Sequence, residues 1–171
     1  DNGVTIVDPQ STWISSDTEI GADTTIFPNV YISGKNKIGK GCFIGPFAHL
    51  RGGVELEDYV KIGNFVEVKK SKISAHTNAC HLSYIGDSEL GSNVNIGAGT
   101  ITANYNHFTK EKKQTKIGDG ASIGSNSVLV APVEIGKSAS IGAGTVVTKD
   151  VPERALGLTR APQKNIENYV K

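Results

Sequence analysis

Four histidines, His49, His76, His81 and His107, are the natural candidates for proton transfer, because an unperturbed imidazole titrates close to neutral pH. His81 stands out among them. It sits in Asn-Ala-Cys-His-Leu-Ser-Tyr-Ile-Gly-Asp, with Tyr84 and Asp87 close behind, and reads either as a general base or as a histidine of purely structural use. His76 precedes it by five residues. Positive charge for a phosphate comes from Arg51, Lys69, Lys70 and Lys110. A guanidinium can grip a phosphate through two parallel hydrogen bonds and an ammonium adds a point charge, although each lysine also reads as ordinary solvated surface. Cys42 and Cys80 carry no sign of activation. Cys80 adjoins His81 in sequence, but neighbouring side chains on a strand point to opposite faces. The chain has no phosphate-cradling P-loop, no Cys/His zinc quartet and no nucleophile elbow.

What must position these groups is a repeat of six. Counting by sixes from Ile14 meets Ile20, Ile26, Ile32, Ile38, Ile44, Leu50, Leu56, Ile62 and Val68 without a miss. The register slips by one at Ile73, passes through Ala79 and Ile85, slips again at Leu90 and runs to Ile96 and Thr102. After an irregular stretch it resumes at Ile117 and continues through Ile123, Leu129, Ile135, Ile141 and Val147. Gly directly follows eleven of these positions, as in Ile-Gly-Ala-Gly-Thr at 96–100. A period of six fits neither the 3.6 of a helix nor a long strand. It fits a short strand and a tight turn, three to a coil of 18 residues, which is a parallel β-helix. The aliphatic residue points into a triangular prism and stacks on its equivalents above and below, while Gly and Asn suit the left-handed corners. About nine coils at ~4.8 Å make a prism roughly 40 Å tall. Such a core is a column without a pocket, so a ligand site belongs where a loop or a second subunit makes a cleft.

Two segments escape the repeat. Residues 103–116 are polar, lack the aliphatic marker and must loop out of the prism as a site candidate. The tail, 152–171, carries Pro152 and Pro162 and then Gln-Lys-Asn-Ile-Glu-Asn-Tyr-Val, which could form a short helix capping the last coil of a domain spanning 1–151. The whole is 171 residues and 18.1 kDa, room for one domain. A formal charge of +1, from 18 Lys+Arg against 17 Asp+Glu, gives no global attraction to nucleic acid or membrane. Two cysteines make no disulfide framework, and no secretory or 18-residue apolar run is present, so the chain reads as a soluble, cytoplasmic protein. It contains no Met and opens at Asp1 in mid-pattern, which reads as a piece of a longer protein.

The segments Gly45 to Arg51, Gly63 to Ser71, His81 to Asp87, Asn95 to Thr102 and Asn104-Tyr105 resemble the acetyltransferase domain of the bacterial bifunctional UDP-N-acetylglucosamine pyrophosphorylases/glucosamine-1-phosphate N-acetyltransferases. The resemblance continues through Leu129 to Val133 and Gly142 to Thr145 and covers nearly the whole chain. It implies an all-β, left-handed parallel β-helix of hexapeptide repeats, and transfer of acetyl from acetyl-CoA to the amine of glucosamine-1-phosphate in a homotrimer whose sites lie between prisms. On that resemblance His81 is the general base and Glu67 orients its imidazole. Arg51, Lys69, Tyr84, Asn95 and Lys110 hold the sugar phosphate, and Asn104 with Tyr105 lines the reacting centre. Ala98, Ser125, Ala143 and Arg160 contact acetyl-CoA. No metal is implied for acetyl transfer, and Mg²⁺ would serve only an N-terminal uridylyltransferase domain that these residues do not include. The chain departs from the family in a longer loop from Lys110 to Thr115 and in Asn106-His107, where the family often has Asp-Gly. Two other readings compete. A zinc lyase like the γ-class carbonic anhydrases would use His76 and His81, but needs a third imidazole and has Leu82-Ser83 where that family has Gly-Cys. A non-catalytic β-helix that trimerises or regulates an attached enzyme would need neither His81 nor acetyl-CoA.

Overall fold

The computed structural model describes residues 3–170, which form strands and turns; among them no helix occurs, so none is long and apolar enough to cross a membrane. The chain winds as a left-handed β-helix of about eight turns. Three parallel sheets are its faces. The first holds nine strands, from Thr5–Ile6 to Leu156–Gly157; the second eight, from Trp13–Ile14 to Val146–Val147; the third seven, from Glu19–Ile20 to Val133–Ile135. Each coil visits first, second and third face in turn and pairs with the coil before it.

The repeat of six explains this directly. On the second face Ile32, Leu50, Val68 and Ile85 stack inside the prism, each at most 1% exposed. A second inward column lies two residues earlier, at Val30, Ala48, Val66 and Ser83, where the prism narrows and smaller side chains fit. Each fully buried aliphatic side chain contributes about 1.5–3 kcal/mol. Ile14 and Ile20, near one end of the stack, are only partly covered. Thr102 replaces an aliphatic residue without leaving a polar orphan, because its hydroxyl accepts a hydrogen bond from the Gly86 amide at 2.8 Å.

The two register slips fall at one place. Where an earlier coil turns from second to third face through Gly52-Gly53, the next two turn through Lys70 and Asp87 alone, both with left-handed backbone (φ 45° and 47°). Ser71 and Ser88 seal these shorter corners, their hydroxyls donating to the carbonyls of Lys69 and Gly86. The excursion leaves from the same edge one coil later. It is a small antiparallel hairpin rather than a free loop: Tyr105 pairs with Lys112, the Asn106 amide donates to Glu111 and the Lys113 amide to Asn104.

The tail corrects an expectation. Leu156–Gly157 adds a strand to the first face, and residues 158–170 run on exposed and without helix. A short helix with nothing to pack its apolar side against is marginal in water, and the apolar Ile166, Tyr169 and Val170 are exposed here.

Candidate active site

The corner between first and second faces is built by one residue per coil with left-handed backbone: Phe47, Phe65, Leu82, Gly99, Asn126 and Gly144. The residue before each of these lies on one edge of the prism. From bottom to top that edge reads Pro46, Asn64, His81, Ala98, Ser125 and Ala143. Backbone bonds tie its steps together: the amides of Leu82, Gly99, Asn126 and Gly144 donate to the carbonyls of Asn64, His81, Ala98 and Ser125. His81, Ala98, Ser125 and Ala143, scattered over 63 positions of sequence, therefore form one column rising about 14 Å in three coil steps. Arg160 closes its top, donating through Nη1 to the Ala143 carbonyl at 3.3 Å. Ala98 is half-buried, whereas Ser125 and Ala143 are exposed and small, so the edge is an open track.

His81 ends the first-face strand Asn78–His81 with its ring exposed. Its Nδ1 lies 2.9 Å from Oδ1 of Asn64, one coil below, and its carbonyl accepts from the Ser83 hydroxyl at 2.8 Å. Glu67, to which the resemblance gave an orienting role, makes its side-chain contact elsewhere. Its carboxylate binds Arg51 Nη1 at 2.7 Å on the second face, and that pairing raises the Arg51 pKa further.

The opposite edge of the second face gathers the charges. Arg51 and Lys69 end successive strands there, Asp87 turns the corner, and the excursion hairpin brings Lys112 to 3.8 Å from Asp87. The Lys112 ammonium, and after it Arg51, hold the Lys69 amine below the ordinary lysine range. Three cations, Arg51, Lys69 and Lys112, thus gather here against the two carboxylates of Glu67 and Asp87, leaving the net positive charge that an anion site requires. Lys110, the lysine expected from sequence, is instead exposed in the hairpin turn with φ 60°. The antiparallel return brings residue 112, not 110, back beside the wall. Asn104 is buried and donates to Asp87, and it lies 3.5 Å from the Tyr84 hydroxyl. Tyr105, next to it, is exposed on the hairpin. Asn95 is on the first face, in register with Asn78, so a single prism does not bring it to Arg51 and Lys69.

The remaining titratable groups are occupied otherwise. His49 packs edge-on to Tyr31, and burial holds its pKa below the usual value, with Glu67 opposing and Arg51 assisting. His76 stacks on Tyr59 at 5.1 Å, at the first-to-third-face corner, so it and His81 stand at opposite ends of one strand. That separation argues against a shared zinc. Burial raises the Cys42 thiol pKa, which disfavours the thiolate a nucleophile needs. Asn64 and Lys112 stand beside the predicted residues although sequence reading did not single them out. Asn64 had a signal, since it lies 17 residues before His81, one shortened coil below.

The coiled prism is that of a hexapeptide-repeat β-helix, and the model of the bacterial transferase hexapeptide family (six repeats) matches residues 37–70 and 114–149. The chain is similar along 99% of its length to the C-terminal part of proteins named Bifunctional protein GlmU. It is 47% identical over 202 residues to the one from Geobacillus sp. (strain WCH70), covering 44% of that protein. It is 49% identical over 203 residues to the one from Thermotoga maritima, covering 45%. The chain thus spans less than half the length of these relatives. The aligned stretch is also longer than the 171 residues present here, so the relatives carry additional residues within it. Among solved structures, a UDP-N-acetylglucosamine acyltransferase from Campylobacter jejuni shares the fold with a TM-score of 0.68 at 17% identity, over 89% of this chain and 70% of that one.

Proposed function

We propose that this chain transfers acetyl from acetyl-CoA to the amine of glucosamine-1-phosphate, giving N-acetylglucosamine-1-phosphate for UDP-N-acetylglucosamine and cell-wall precursor synthesis in the cytoplasm. The observation that carries the reading is the edge column, in which a base and three small residues stand one coil apart below Arg160. Acetyl-CoA lies along Ala98, Ser125 and Ala143 with its thioester towards His81 and its phosphates towards Arg160. The sugar phosphate spans the second face, its phosphate on Arg51, Lys69 and Lys112 and its ring against Tyr84, Asn104 and Tyr105. His81 Nε2 accepts the ammonium-derived proton as the amine nitrogen bonds to the thioester carbon. The C–S bond then breaks and the imidazolium returns the proton to the leaving thiolate. No covalent enzyme intermediate is needed, in keeping with the raised Cys42 pKa.

The working unit is a homotrimer with sites between prisms, which would bring Asn95 of one copy to the charges of another. The faces support this by their contrast. On the third face the outward residues Glu19, Lys37, Glu55, Lys72, Glu89, Lys116 and Glu134 alternate in sign in direct register, a pattern suited to water. On the second face the outward ladder is Trp13, Tyr31, His49, Glu67, Tyr84, Ile101, Val128 and Val146, with one carboxylate already paired to Arg51. The test is CoA release from acetyl-CoA and glucosamine-1-phosphate, metal-free and with added zinc. Activity independent of metal that falls about 10²–10⁴-fold in His81→Ala supports the reading. A folded protein without turnover would favour a non-catalytic module, and zinc-dependent hydration of carbon dioxide would favour the lyase.

A further inference from the structure

We propose that Asn64 is the positioning residue that keeps the proton of neutral His81 on Nδ1 and so leaves Nε2 bare as the proton acceptor. The inference rests on His81 being the base. A neutral imidazole carries one N–H, and only the other nitrogen can take a proton from a substrate. Which nitrogen is bare is therefore a condition for catalysis, and the partner of the other nitrogen sets it. In this chain that partner is an amide oxygen at 2.9 Å, an acceptor, so the nitrogen facing it must be the donor.

The geometry around the pair is held by backbone. Asn64 and His81 are register partners in adjacent coils, and the Leu82 amide donates to the Asn64 carbonyl at 3.0 Å. Gly63 allows the close approach: a Cβ there would lie 2.0 Å from the Cys80 carbonyl oxygen, so any other residue would push the two strands apart. On the far side the His81 carbonyl is held by the Ser83 hydroxyl and the Gly99 amide. With its backbone so fixed, the exposed ring keeps only its two side-chain torsions, and the Asn64 bond removes both freedoms. The carboxylate that might have done this, Glu67, is committed to Arg51 on the neighbouring face. An amide partner differs from a carboxylate in kind. It selects the tautomer without a full negative charge that would favour the imidazolium and slow return of the proton to the thiolate.

The test is direct and does not depend on turnover. In the full chain labelled with ¹⁵N-histidine, two-bond ¹H–¹⁵N correlations at about pH 8, above the ordinary imidazole range, report which nitrogen of each neutral ring carries hydrogen. A His81→Gln spectrum identifies the His81 signals among the four histidines. The expected result is Nδ1–H for His81 in the wild type, kept in Asn64→Asp and moved towards Nε2–H in Asn64→Leu. In parallel, Asn64→Leu lowers kcat about 10–100-fold, the range for losing a partner that orients a working histidine, with both KM values little changed, while Asn64→Asp, which keeps the acceptor but adds charge, loses less. A wild-type ring with its proton on Nε2, meaning the amide is turned to donate, overturns the proposal, as does a tautomer indifferent to Asn64→Leu. A wild type with Nδ1–H but no acetyl transfer would leave the tautomer assignment standing and remove the proposed function instead.

Discussion

Lys112 and Lys110 offer a sharp test of the phosphate site, because the family resemblance favours one and the folded hairpin the other. Replacing Lys112 with Met removes the ammonium that lies 3.8 Å from Asp87 and depresses the Lys69 pKa. A hydrogen bond to a charged group contributes about 1.5–3 kcal/mol. The Lys112 side chain is 37% exposed, so solvent weakens the contact, and its removal also relieves the repulsion on Lys69. The net loss is then about 1–2 kcal/mol, roughly a 5–30-fold rise in KM for glucosamine-1-phosphate, with kcat and the KM for acetyl-CoA nearly unchanged. Lys110→Met should alter neither constant by more than about twofold, since exposed substitutions away from specific contacts lie within about 0.5 kcal/mol. The assay is initial-rate CoA release at varied sugar phosphate, at low and at moderate salt, where the Lys112 effect should shrink as screening grows. A second readout needs no substrate: side-chain NMR titration should find the Lys69 pKa higher in Lys112→Met than in wild type. The reasoning is refuted if Lys110→Met carries the KM effect, or if Lys69 titrates unchanged.

Two further outcomes follow from the same geometry. Ala143→Trp places a large ring on the open edge beside Arg160 and should raise the KM for acetyl-CoA more than about tenfold, a loss of roughly 1.4 kcal/mol, while the sugar-phosphate KM holds; equal effects on both substrates would contradict the track. His49 should titrate below 6.5 by NMR, and Glu67→Gln should lower it further by removing the carboxylate that opposes burial. Because the folded pKa lies below the unfolded one, the unfolded chain binds the proton more readily between the two values. Stability from this group is therefore complete above about pH 6.5 and is lost as pH falls through the folded pKa. Urea unfolding at pH 7.5 and 5.5 should show a smaller acid loss in His49→Gln, and an unchanged loss would refute the assignment.

The period of six made the prism legible because every sixth residue repeats the same physical task. Ile32, Leu50, Val68 and Ile85 are buried for one reason, and one miscount would turn each towards water. The slips at Ile73 and Leu90 were equally legible, and they proved to be the shortened corners at Lys70 and Asp87, beside the charge cluster. The excursion was visible only as a gap. It has no period, so nothing in its sequence announced that Tyr105 pairs with Lys112, and the resemblance pointed to Lys110. Asn64 and the Arg51–Glu67 pair were hidden for a different reason. A period assigns a residue to a column but is silent on which neighbour its outward side chain grips.

That distinction also explains how such a fold carries chemistry at all. Each coil contributes one residue to each column and is bonded to its neighbours through backbone, so a column can be rewritten residue by residue while the inward stacks stay as they are. Along the first-to-second edge the side chain is a proline at 46, an amide at 64, an imidazole at 81 and then small residues at 98, 125 and 143. Spacing in this column is fixed by strand separation, about 4.8 Å per coil, and not by loop conformation. The 2.9 Å contact between Asn64 and His81 is therefore a consequence of adjacent coils, with Gly63 allowing the last part of the approach. On this argument Gly63→Ala should harm catalysis through geometry alone: it touches no substrate, yet its methyl would separate the base from the residue that sets its tautomer.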